Sequence, residues 1–224
     1  MSVPPGLPGA VVTVCYLHGF ASSPQSTKAA RLAEWLRAYG IELHCPDFNE
    51  PDFATLTLTR MLERLDRELE RVEAPAVLIG SSLGGTLAIL AAGAFASRVD
   101  RMVLLAPAVM FAKPGHHLLT PDRLDEWRRR GALPFFHYAY NQERPLNYAF
   151  YEDSLRYDAF TTAFTQPALI FQGLRDASVD PRTVEQFARA RPNVMLSLLD
   201  DDHQLVASLP RMWDGMRSFF GLTS

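Results

Sequence analysis

The sequence is short of the residues that staple or anchor a chain. Only two cysteines, Cys15 and Cys45, occur in 224 residues, with no CxxC pair and no Cys/His cluster. That usage argues against both a disulfide framework and a zinc site. No stretch approaches the ~20 consecutive apolar residues of a membrane span. The formal net charge is only −3, which gives no electrostatic reason to expect nucleic acid or an anionic membrane as partner. The opening MSVPPGLPGA has neither the basic residues nor the long apolar run of a signal peptide, so a cytoplasmic setting is the default expectation. Nothing in these features calls for a metal or a cofactor, and nothing speaks to oligomeric state.

What is present is an ordinary globular composition, 48% hydrophobic and 21% charged. A chain of this length buries enough surface for one unstapled core, so a single domain over 1–224 is expected. Strand-like and helix-like stretches alternate along it. VVTVCYL (Val11 to Leu17) is β-branched and apolar on both faces, as a buried parallel strand should be. A helix follows, with Ala29, Leu32, Ala33 and Leu36 on one face, Ser26 as N-cap and Gly40 as stop. After a short IELHCP strand, Leu58 to Val72 carries apolar residues at helical spacing. AVLI, a small-residue helix from Gly84 to about Ala96, and RMVLLA come next. The pattern resumes with PALIFQ, a helix from Pro181 to Ala190, VMLSLL, and a last helix from about Leu205 to Phe220. Six such alternations without an internal repeat predict an α/β fold: a mostly parallel sheet of about six strands with helices on both faces.

Ligands of such sheets sit at the carboxyl ends of the strands. Those ends carry His18-Gly19-Phe20, then Gly80-Ser81-Ser82-Leu83-Gly84-Gly85, then GLRDASVD, then DDDHQL. A serine, an aspartate and a histidine therefore collect there in the order Ser82, Asp176, His203. The glycines near a helix start carry no Lys-Ser/Thr, which removes the P-loop reading. Gly80-Ser81-Ser82-Leu83-Gly84 matches the G-x-S-x-G nucleophile elbow, and the chain resembles the α/β-hydrolase family in motif and residue order from Val11 to Phe220. YLHGFASSPQSTKA together with GSSLGG is similar to the small bacterial YqiA-like esterases.

A lone G-x-S-x-G is weak evidence, but its position between a strand and a helix is what the chemistry requires. Centring the motif on Ser81 would put Ile79 and Leu83 where glycines belong. Asp176 competes with Asp180, which precedes Pro181 and fits a helix N-cap, and with Asp200 to Asp202, which sit beside His203 in the chain. Of the other histidines, His18 reads as a structural partner of its loop, and His44 and His137 as packed or capping residues. His116 and His117 fall in an irregular stretch. The resemblance implies Ser82 as nucleophile, His203 as base and Asp176 as the acid that orients it. It also implies an oxyanion hole from the backbone N–H groups of Phe20 and Leu83.

Between residues 107 and 160 the sheet pattern stops, and this stretch holds 11 of the 24 aromatics. Thr120-Pro121 starts a helix there and Gly131 ends it. Unpatterned connections of this length are commonly functional, so an inserted helical cap lining an apolar acyl pocket is expected. The rings equally suit plain packing of the cap onto the core. Arg128 to Arg130 suit either the phosphates of an acyl-CoA or a solvated helix face. The expected activity is hydrolysis of a small-molecule acyl ester without a cofactor. A thioesterase, a peptidase and a non-catalytic small-molecule-binding protein are the alternatives. A dehalogenase is disfavoured, since the elbow has serine where aspartate would be needed.

Overall fold

The computed structural model describes residues 13–113, 116 and 119–222. Six strands form one parallel sheet: β1 (Val14–Leu17), β2 (Leu43–His44), β3 (Ala76–Ser81), β4 (Val99–Leu105), β7 (Ala168–Gly173) and β8 (Val194–Leu199). Their order across the sheet is β2-β1-β3-β4-β7-β8. The order reverses between β1 and β3, so the carboxyl ends of those two strands flank the crevice where ligands of open α/β sheets bind.

Alternation along each strand divides the core in two. Tyr16, Val77, Ile79, Val103, Leu105 and Phe171 face one side, where α1 (Thr27–Arg37) and α7 (Leu209–Phe220) pack. Leu17, Leu78, Met102, Leu104 and Ile170 face the other, covered by α2 (Leu58–Leu69), α3 (Leu83–Ala94) and α6 (Pro181–Arg189). Residues 83 to 92 of α3 are all buried, as fits a helix apolar all round. α2 instead buries one stripe, Leu58, Met61, Leu65 and Leu69.

Local signals explain where the elements stop. Ser26 caps α1 by accepting from the Ala29 N–H, and Gly40 takes φ 71° just beyond the helix. β2 shrinks to two residues because it is an edge strand cut short by Pro46, which has no N–H for the ladder. The last helix begins at Leu209 rather than near Leu205, because Leu205 sits at φ 54° and Pro210 belongs in a first turn. Val11 and Val12 of the expected first strand lie outside the described residues.

The segment between β4 and β7 carries the expected helix, α4 (Pro121–Arg130), and a second short one, α5 (Ala149–Ser154). Between them lies an antiparallel hairpin, β5 (Ala132–His137) with β6 (Gln142–Asn147), which periodicity did not indicate. Pro134 stands opposite Pro145. Two prolines argue against a strand in a wide sheet, but a two-stranded ribbon has only edges and tolerates them. α4 ends as read, at Gly131 with φ 74°.

Candidate active site

β3 runs into α3 through a single residue, Ser82, at φ 53° and ψ −114°. Such a conformation costs a non-glycine residue of order 1–3 kcal/mol and persists only where surrounding structure enforces it. The enforcement is visible. The Ser82 N–H donates to the Leu105 carbonyl, and its own carbonyl accepts from Gly85, Thr86 and Ala108. A Cβ on Gly84 would fall on the Leu17 carbonyl oxygen, and one on Gly80 on the Gly84 carbonyl. Both glycines of the motif are thus required by close approach of backbone to backbone.

The structure brings Ser82, Asp176 and His203 into one hydrogen-bonded chain. Ser82 Oγ lies 3.0 Å from His203 Nε2, and His203 Nδ1 lies 2.8 Å from Asp176 Oδ2. A carboxylate can only accept, so Nδ1 carries the proton and Nε2 presents its lone pair to the serine hydroxyl. The Asp176 side chain is sealed from solvent. Its Oδ1 accepts from the N–H groups of Ser178 and Val179, both at 2.8 Å, and its Oδ2 also from Gln172 Nε2 at 2.9 Å. Burial pushes this carboxyl upward, but the bonds from His203, Val179 and Gln172 outweigh it and hold the group below the usual carboxylate range.

Phe20, in the loop after β1, and Leu83, at the start of α3, have N–H groups that donate no hydrogen bond among the described residues. Leu83 is first in its helix, where an unpaired N–H is normal, and the helix dipole favours negative charge there. The rivals have other occupations. Asp180 caps α6 by accepting from Arg182 N–H at 2.9 Å. Asp200 pairs with Arg175, Asp201 accepts from the N–H groups of Asp202 and Ser208, and Asp202 accepts from Gln204 N–H. His18 accepts from the Phe48 N–H at 3.0 Å, His44 pairs with Glu68, and His137 meets Asn49. His116 is exposed, and His117 lies outside the described residues. No described cluster of three or more His, Cys, Asp or Glu side chains is placed to hold a metal ion.

Residues 13–220 match the model of an uncharacterised protein family, UPF0227. The chain belongs to that family. It is the YqiA-like group to which the glycine-serine motifs pointed. No curated protein sequence matches the chain. Among solved structures, Est1E from Butyrivibrio proteoclasticus with ferulic acid bound is similar at TM-score 0.79 and 19% identity, covering 93% of this chain and 87% of that one. Mouse alpha/beta hydrolase domain-containing protein 10 is similar at TM-score 0.75 and 20% identity, covering 95% and 90%. The monoacylglycerol lipase of Paleococcus ferrophilus follows at TM-score 0.71 and 14% identity, covering 92% and 93%. This UPF0227 member therefore has the α/β-hydrolase fold.

Two further features of the site had no signal in the sequence. Gln172 sits inside a strand, where its side chain is fully buried and supports the acid. Asn49 donates to the Ser22 carbonyl at 2.8 Å while its Oδ1 meets His137 Nε2 at 3.2 Å. With the Tyr138 N–H donating to the Ala21 carbonyl at 2.9 Å, this ties the β5–β6 hairpin to the loop carrying Phe20. The Phe20 ring also packs on Phe53, Phe135 and Phe150 at 5.4–5.5 Å. Beyond Phe150 lies a narrow apolar crevice with about 20 Å³ of free space, walled by Phe111, Leu119, Leu124, Trp127 and Tyr151. Of the α4 arginines, Arg128 reaches Asp125 and Tyr148, and Arg130 reaches Glu126.

Proposed function

We propose that this UPF0227 member is a serine hydrolase of carboxylic esters that works through an acyl-enzyme. The observation that carries this reading is the unbroken chain from Ser82 Oγ through His203 to the buried Asp176, beside two unengaged backbone donors. Ser82 attacks the acyl carbon as its proton passes to His203 Nε2. The imidazolium so formed is stabilised by Asp176, which stays ionised because four donors already favour its charge. The new oxyanion is taken by the N–H groups of Phe20 and Leu83, each worth ~10²–10³ in rate if such a donor behaves typically. The tetrahedral carbon then expels the alcohol, which leaves with the proton from His203. Water attacks the acyl-enzyme with His203 again as base, and the acid departs as Ser82 regains its proton.

Substrate choice rests with the insertion. The aromatic crevice lies one ring beyond Phe20 and its walls are apolar, so an acyl group that parts those walls must itself be apolar. That Est1E was solved with ferulic acid bound supports testing aromatic acyl esters first. The test is a panel of p-nitrophenyl esters of graded chain length with an aromatic acyl ester and an acyl-CoA. Fluorophosphonate labelling of the wild type and of Ser82→Ala runs in parallel. Labelling and turnover in the wild type, both lost in Ser82→Ala, are expected. Wild-type turnover in that variant would end the proposal.

A further inference from the structure

Lys28 stands where neither its helix nor its burial rewards a cation. It is the second residue of α1, where the positive end of the helix dipole disfavours an ammonium. It is also only 9% exposed, and lysine is almost never so buried without a partner. Its partner is the catalytic loop. Nζ donates to the carbonyl oxygen of Gln204 at 2.8 Å, one residue after His203. The carboxylates acting on the ammonium come from the two loops that supply the candidate acid and base: Asp176 after β7, and Asp201 and Asp202 after β8. No strand or helix includes residues 200–208. They hold their shape through short turns, with Asp201 and Asp202 accepting N–H groups from within the same stretch. Lys28 ties this stretch to α1.

We propose that Lys28 is a positioning residue for His203, its ammonium clamping the Gln204 carbonyl and balancing three neighbouring carboxylates, so that turnover falls when it loses its proton. This rests on the Ser82–His203–Asp176 reading and adds a regulator to it. Burial, against the pull of Asp202, Asp176 and Asp201, pushes the Lys28 pKa down to about 8. Deprotonation leaves the Gln204 carbonyl with a weaker, neutral donor and removes one positive charge from beside the three carboxylates. Small misplacements of a catalytic group cost up to ~10²-fold. Stability should move the opposite way. The folded chain holds this proton less tightly than an unfolded lysine titrating near 10.5. Folding stability therefore rises with pH between about 8 and 10.5, while turnover declines.

The test is kcat and KM for one p-nitrophenyl ester from pH 6 to 10 in wild type, Lys28→Gln and Lys28→Met, with Ser82→Ala as the background rate. Circular dichroism melts accompany each pH. The wild type should show an alkaline limb in kcat near pH 8 without loss of melting temperature. Lys28→Met should lose about 10–10²-fold in kcat at neutral pH, with KM within about 2-fold and no limb at pH 8. Lys28→Gln, which keeps a donor, should recover part of kcat and also lack the limb. An alkaline limb unchanged in Lys28→Gln, or wild-type kcat in Lys28→Met, overturns the proposal. If Lys28→Met does not fold, the wild-type and Lys28→Gln profiles decide alone. Turnover surviving in Ser82→Ala would instead bring down the triad reading, a distinct outcome.

Discussion

At Ser82 the backbone conformation and the proposed chemistry are one arrangement. The positive φ lifts Oγ out of the strand line toward His203, and the two glycines let β1 and α3 close around it. Gly84→Ala should therefore do more than add a methyl. The Leu17 carbonyl must shift, and with it the loop that carries Phe20. A loss of about 1–3 kcal/mol or more in denaturant unfolding is expected, together with loss of ester turnover. Asp176→Asn removes both the orienting acceptor and its charge. The amide would offer a donor where His203 Nδ1–H needs an acceptor, favouring the wrong tautomer. A fall in kcat of roughly 10⁴ is expected, with KM for the same ester little changed.

Among the elements, the β5–β6 hairpin holds the loop after β1 in place as well as covering it. Asn49 is the joint between them, bonded to Ser22 on one side and His137 on the other. Asn49→Ala should lower kcat by about 10–10²-fold through a loosened Phe20 N–H, while the parallel sheet melts as before. Phe111 walls the crevice and packs on Phe150. Phe111→Ala should move the chain-length optimum of the ester panel toward longer acyl groups. The parallel sheet was legible in the sequence because its strands are apolar on both faces and separated by periodic helices. Ser82, Asp176 and His203 were legible as candidates because each follows a strand in a loop rich in turn residues. The hairpin was hidden by Pro134 and Pro145, which speak against a strand. Lys28 and Asn49 were hidden for another reason. A lysine on an amphipathic helix reads as a solvated face, and only the tertiary placement of residues 200–208 buries it.

For the molecule as a whole, acid is the informative stress. Asp176, Asp201 and Asp47 each hold their carboxyl below the ordinary value through hydrogen bonds and nearby positive charge that exceed the opposing effect of burial. A depressed folded pKa contributes stability fully present above the unfolded value near 3.8 and lost as pH falls through the folded one. Calorimetry should find a melting temperature nearly flat from pH 7 to about 5, then declining steeply below about 4. Asp176→Asn should flatten part of that decline.

β4 and β7 lie side by side in register, Met102 opposite Ala168 and Leu105 opposite Phe171. The insertion proposed to select a substrate is spliced between them, on an excursion that leaves and rejoins the sheet at neighbouring strands. Descent with modification can therefore lengthen, shorten or recompose that excursion while Ser82, His203 and the scaffold that holds them are inherited untouched. One ancestral engine can in this way serve many diets.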